Sequence, residues 1–204
     1  MSIFKIFQNK SKRNEIPLEE VRFVVFDTET TGFKFSTDRI LSIGAVTVLN
    51  GRIDLKNSIE FFLEQEKSNP ESIPIHGIIK NHKYSKLSEK EALIKFLEYT
   101  ENAVLVGHHV GYDIKMINAA LQRNELSPLK NKHLDTNYLF KKTKVINYLL
   151  KNDKNYSLDE ICQELNITTH DRHNAAGDAF LTAIAFLKIV NKLKINTLGA
   201  LLKL

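Results

Sequence analysis

Asp27 and Glu29 stand two residues apart at the end of an apolar run, Val21-Arg22-Phe23-Val24-Val25-Phe26. β-Branched and aromatic residues in such a run predict a strand buried on both faces, with the acids where it leaves the core. Alternate residues of an extended chain share a face, so the two carboxylates lie roughly 6 to 7 Å apart at the Cα level and point the same way. Like charges held so repel unless a cation sits between them. Converging oxygen ligands suit a hard divalent ion such as Mg²⁺ or Mn²⁺. Taken alone, the pair also fits a polar strand end running into a Thr30-Thr31-Gly32 turn. Two further acids widen the set. Asp113 follows a short apolar segment (103–107) and lies near the start of a helix, where negative charge is favoured. Asp178 falls one turn inside a long helix, among Ala175, Ala176, Gly177 and Ala179, which leave room for close approach. His173 sits just outside the start of that helix.

The elements that would position these residues follow from periodicity. Segment 39–49 reads as a second strand, Asn50-Gly51 as a tight hairpin turn and 53–63 as a returning third strand, which together form a meander. Pro70 and Pro74 mark 64–75 as a loop. Segment 88–100 carries a helical period through Ala92, Leu93, Phe96 and Leu97, and Ser88 and Glu91 have the spacing of a capping box. Segment 114–123 is helical, His133-Leu134-Asp135 ends a strand before a short helix, and Ser157 with Glu160 opens another helix reaching Leu165. The long helix covers 174–193 and a short one 197–204. A meander followed by strands alternating with helices predicts an α/β domain whose mixed sheet is covered by helices on both sides. Ligands gather in such sheets where strands end and helices begin. Residues 1–20 read as an N-terminal arm and 21–204 as a single domain.

A chain of 204 residues buries roughly 70% of its unfolded surface, so a hydrophobic core suffices without disulfide or structural zinc. Cys162 is the one cysteine, which fits a reducing compartment. The apolar group Ile3, Phe4, Ile6 and Phe7, interrupted by Lys5, is too brief for a signal peptide or a membrane span; a soluble, cytoplasmic protein is expected. The formal charge is +5, and between Leu129 and Tyr156 seven lysines face two acids, an excess equal to that of the whole chain. A basic flank beside an acidic, metal-binding centre suits a polyanionic substrate, although charged runs also serve solubility alone.

Taken in order, Asp27, Glu29, Asp113, His173 and Asp178 resemble the DEDD superfamily of 3′-to-5′ exonucleases, in its histidine-bearing branch, with a likeness to the proofreading subunits of bacterial replicative DNA polymerases. Phe26-Asp27-Thr28-Glu29-Thr30-Thr31-Gly32 matches the first family motif, Val106-Gly107-His108-His109-Val110-Gly111-Tyr112-Asp113 the second, and Arg172-His173-Asn174-Ala175-Ala176-Gly177-Asp178-Ala179 the third. The resemblance implies a ribonuclease H-like fold and two Mg²⁺ or Mn²⁺ ions. Asp27 would bridge both, Glu29 and Asp178 would complete the first site and Asp113 the second, while His173 would take a proton from the attacking water. It also implies that Thr30, Thr31 and Gly32 contact the terminal nucleotide through the backbone, that His76 lines the substrate pocket and that Phe33 can lie against a base. His109 stands where the family often has Asn, which alters the contacts of the second motif.

The expected activity is therefore hydrolysis at the 3′ ends of single-stranded DNA, with release of nucleoside 5′-monophosphates. RNA 3′ ends are the alternative substrate. A catalytically inactive nucleic-acid-binding module is disfavoured because all four carboxylates and His173 are present. The chain ends at Leu204, shortly after the last family helix, and the expectation drawn from this is a stand-alone enzyme of repair or turnover, with a polymerase partner left open.

Overall fold

Alternation along the first strand decides how the molecule is layered. In a computed structural model, the structure describes residues 16–65, 85–144, 154–169 and 172–204. Strand β1 (Phe23–Thr30) is the third of six from one edge, counting inward past β6 and β5, in the order β4-β3-β2-β1-β5-β6. Strands β2 (Ile40–Leu49) and β3 (Arg52–Leu63) form the antiparallel meander with it. Asn50 and Gly51 adopt φ of 52° and 65° between them, the two left-handed residues that a tight hairpin turn requires. Strand β5 (Val104–Gly107) runs parallel to β1, and β6 (His133–Asp135) parallel to β5. The two-residue β4 (Lys86–Leu87) pairs with the end of β3.

Phe23 and Val25 turn to one face of the sheet, where Leu181, Phe186 and Ile189 of α5 (Ala175–Leu193) cover them. Val24 and Phe26 turn to the other, against α1 (Glu89–Thr100) and α2 (Gly111–Arg123). Ring pairs mark both layers, Phe23 with Phe186 at 5.0 Å and Phe26 with Phe96 at 5.3 Å. Each fully buried large side chain of this kind contributes about 1.5–3 kcal/mol, so the apolar run before Asp27 holds the sheet between its helices. Short helices α3 (Thr136–Lys142), α4 (Leu158–Glu164) and α6 (Leu198–Leu201) complete the α/β architecture.

Ser88 with Glu91 and Ser157 with Glu160 form the two capping boxes that their spacing predicted. Asp135 caps α3, accepting from the N–H groups of Asn137 and Tyr138. Several boundaries differ from expectation, among them the start of α2, at Gly111 rather than at 114. β1 does not end before the acids but carries them, with Asp27 paired to Gly44 and Glu29 to Ser42, because β2 keeps register until a bulge after Glu29. Residues 16–20 of the expected arm pack on the far end of the chain, where the Leu198 N–H donates to the Ile16 carbonyl at 2.9 Å. Residues 1–15, the Pro70 and Pro74 loop and His76 lie outside the described residues. No helix among the described residues is long and apolar enough to cross a membrane.

Candidate active site

The period of two that layers β1 also distributes its acids. Asp27 and Glu29 continue the face of Phe23 and Val25, toward α5, whereas Thr28 faces α2. Helix α5 can come down onto that face only because β2 carries Gly44 beside Asp27. A Cβ at Gly44 would lie 2.3 Å from the Ala175 carbonyl carbon and the Ala176 nitrogen, a contact that backbone atoms cannot yield to. Asn174 caps the helix, accepting from the Gly177 N–H at 2.7 Å. Asp178, in the first turn, is thereby carried to the β1 acids, and carboxylate oxygens of Asp27, Glu29 and Asp178 lie within 4.8 Å of one another.

Asp113 arrives from the other layer. It is buried in the first turn of α2, and both the N–H and the hydroxyl of Thr28 donate to its Oδ1, at 3.1 and 2.6 Å. Its charge raises the proton affinity of Asp27, and the charge of Glu29 raises that of Asp113. The four acids predicted from sequence therefore meet at one end of the sheet, three as a tight cluster and Asp113 beside them.

This concentration of negative charge has a cost in protonation. Burial, followed by the charges of Asp113, Asp178 and Glu29, holds the Asp27 carboxyl well above its ordinary range. Burial and Asp178 push Glu29 up to about 7. Asp113 also rises to about 7, through burial that outweighs the Thr28 hydrogen bonds. Carboxyls so perturbed, in a cluster of oxygen donors alone, fit a hard divalent cation, which would remove the repulsion. Arg172 partly plays that part in the structure: its guanidinium pairs with Asp178 through Nη1 and lowers the proton affinity of Asp27 and Glu29.

The histidines divide. His173 is exposed, with a left-handed φ of 64°, immediately before the N-cap of α5. His109 is also exposed and left-handed, at φ 53°, edge-on to His108. His108 is held down to about 4, chiefly by burial and then by His109, and its Nδ1 meets the Thr136 hydroxyl at 3.1 Å. After Glu29 the chain is braced: the Tyr112 hydroxyl donates to the Gly32 carbonyl at 2.6 Å and lies 2.9 Å from the Thr30 hydroxyl. Gly32 lets the Asp38 carboxylate approach to a point 2.7 Å from where a Cβ would be. The Thr31 N–H, expected to meet the terminal nucleotide, donates in this structure to the Arg39 carbonyl at 2.9 Å. Sequence reasoning assigned no role to Thr28, Tyr112 or Arg172. All three sit inside the motifs; the side of the sheet that Thr28 faces was readable from alternation, whereas Tyr112 lies in the turn by which α2 starts earlier than expected and the pairing of Arg172 with Asp159 and Asp178 left no local signal.

The model of the exonuclease family, RNase_T, matches residues 24–186. The chain belongs to the exonuclease family. Its relatives include the PolC-type DNA polymerase III of Caldanaerobacter subterraneus subsp. tengcongensis, 34% identical over 184 residues that cover 86% of this chain and 12% of that protein. A DNA polymerase III subunit epsilon-like protein of Rhodobacter capsulatus is 34% identical over 195 residues, covering 92% of this chain and 27% of that protein. The exonuclease chain thus spans about an eighth to a quarter of the length of these relatives. Its ribonuclease H-like fold is shared with E. coli Exonuclease I in complex with a dT13 oligonucleotide, at a TM-score of 0.68 and 18% identity over 84% of this chain and 41% of that one. The complex with a dA16 oligonucleotide gives a TM-score of 0.71 at 17% identity, over 86% and 42%.

Proposed function

We propose that this exonuclease domain hydrolyses phosphodiester bonds at the 3′ ends of single-stranded DNA and releases nucleoside 5′-monophosphates with the help of two divalent ions, Mg²⁺ or Mn²⁺. The observation that carries the reading is the convergence of Asp27, Glu29 and Asp178 within 4.8 Å, next to a buried Asp113. Asp27, Glu29 and Asp178 would hold one ion, and Asp27 with Asp113 the other. When bound, such ions activate a water and steady the leaving 3′ oxygen.

The chain's own residues supply the remainder. His173 takes a proton from the attacking water, a task suited to a solvent-accessible imidazole near neutral pH. Thr28 fixes one oxygen of Asp113 and leaves the other for the site. The braced Thr30 to Gly32 turn forms a rigid wall for the terminal nucleotide. Phe33, 82% exposed and 5.5 Å from the Tyr112 ring, offers a base a face to stack on. His109 lines a cleft with Asp27 and Asp178. Single-stranded DNA is favoured as substrate because Exonuclease I, which shares the fold, holds dT13 and dA16 oligonucleotides.

The test is hydrolysis of matched single-stranded DNA and RNA, labelled at the 5′ end, with Mn²⁺. Progressive shortening of the DNA from its 3′ end is expected, and its loss in a folded Asp27→Ala variant. A marked preference for RNA would replace the substrate, and unchanged activity in Asp27→Ala would remove the proposed site.

A further inference from the structure

Arg172 is a cation placed among the acids, where a metal ion would compete with it for Asp178. Its Nη1 pairs with Asp178 Oδ1, while Nε and Nη2 reach Asp159 Oδ1 and Oδ2 at 2.7 and 3.4 Å. The two carboxylates differ in setting. Asp178 is 11% exposed at its side chain and belongs to the metal-type cluster, whereas Asp159, on α4, is 58% exposed. Arg172 therefore holds one of the three carboxylates that a metal ion would take, and it shares a cleft with a second, Asp27. A dication on those carboxylates repels a guanidinium held against one of them. What remains to Arg172 is the pair with Asp159, open to water and correspondingly weak.

The released guanidinium would not lack a destination. Arg172 lines an open cleft of about 470 Å³ together with Asp27, His108, His109, Asn155 and Asp178. Lys144 and Lys154, on the same flank, are paired with Glu164 and Glu160. A planar guanidinium fork matches the oxygens of a phosphodiester better than an ammonium does.

We propose that Arg172 is a phosphate ligand held in reserve: Asp178 and Asp159 clasp it while the site lacks metal, and ion binding at Asp27, Glu29 and Asp178 hands it to the backbone of the incoming strand. The inference deepens the exonuclease reading above and rests on it. It makes metal and strand binding mutually supportive, since whatever frees Arg172 for phosphate also removes a competitor for Asp178. An acid-lined site without metal then has no free guanidinium with which to grip a strand that it could not cut.

Two binding measurements on the full chain test this. Mn²⁺ affinity is measured by calorimetry without nucleic acid, and affinity for a single-stranded oligodeoxynucleotide protected by 3′ phosphorothioates is measured by anisotropy in Ca²⁺ and in EDTA. Arg172→Ala should bind Mn²⁺ at least as tightly as the wild type. In Ca²⁺ it should bind the oligonucleotide about tenfold more weakly, the loss of one charge-assisted contact, with affinity in EDTA unchanged. Arg172→Lys, which keeps the charge without the fork, should fall between. Weaker Mn²⁺ binding in both variants would overturn the proposal, because the guanidinium would then be holding Asp178 for the ion. Wild-type oligonucleotide affinity in Ca²⁺ for both would also overturn it. A wild type that binds Mn²⁺ and releases mononucleotides while the variants match it defeats this inference alone. A wild type that does neither defeats the exonuclease reading itself.

Discussion

Replacing Asp27 with Asn should stabilise the metal-free protein and at the same time destroy its response to metal. The reason lies in the crowding of the acids. Asp27 is held well above its ordinary range by burial and then by the charges of Asp113, Asp178 and Glu29, so ionising it in the metal-free site costs stability that Asn does not. Its neighbour Glu29, raised by burial and Asp178 from an ordinary 4.5 to about 7, gives the scale for one acid of this cluster: at about 1.4 kcal/mol for each pH unit, about 3 kcal/mol as an upper bound. Burial is the leading cause for both Glu29 and Asp27 and survives the substitution in part. Glu29 is also partly open to water, which screens its neighbours. A gain of about 1 kcal/mol at alkaline pH is therefore the reasonable share, which for a chain of this size raises Tm by about 2–4 °C. In saturating Mn²⁺ the order should reverse, because the wild type gains the free energy of ion binding and the variant loses a ligand needed for it. Thermal unfolding of both proteins at about pH 8, in EDTA and in Mn²⁺, reads out the crossing. A variant less stable than the wild type in EDTA would refute the claim that the acids repel one another in the empty site.

Further outcomes follow from the same geometry. Glu29 and Asp113 both take up protons near 7. The native state then binds more protons than the unfolded chain from about 4.5 upward, so the metal-free protein should lose stability as pH rises toward and through 7. Mn²⁺ affinity should rise over the same window as protons leave the ligands, and calorimetric titrations at about pH 6 and about pH 8 would show it; flat affinity would contradict the assignment. Gly44→Ala should cost about 1–3 kcal/mol in denaturant unfolding and weaken Mn²⁺ binding, because the start of α5 and Asp178 must retreat from β2. Phe33→Ala should leave stability within about 0.5 kcal/mol. Its KM for single strands should rise by a factor equivalent to about 1 kcal/mol or more, and an unchanged KM would remove the stacking role.

Much of the architecture was legible because it rests on local patterns. The capping boxes at Ser88 and Ser157 and the Asn50-Gly51 turn each state their structure within four residues. The acids were legible through their spacing and through motifs distributed over most of the chain. What escaped depends on contacts between distant elements. The extension of β1 through Thr30 is decided by how long β2 stays in register. The importance of Gly44 appears only when α5 lies on it. Thr31 offered a plausible N–H until Arg39 arrived to accept it. Arg172 opens the third motif, but its partners appear only when the fold sets it between Asp159 and Asp178. The lysine-rich flank proved mixed, since Lys144 and Lys154 pair with acids of α4, which reduces the free charge that composition alone suggested.

The central claim is that Asp27, Glu29, Asp113 and Asp178 share divalent ions at the end of β1. Anomalous diffraction from crystals soaked with Mn²⁺ and a nucleoside 5′-monophosphate tests it most directly. Two manganese peaks are expected, one touching Asp27, Glu29 and Asp178 and one touching Asp27 and Asp113, with the phosphate between them. Manganese bound elsewhere, with these four carboxylates free of metal, would contradict the account.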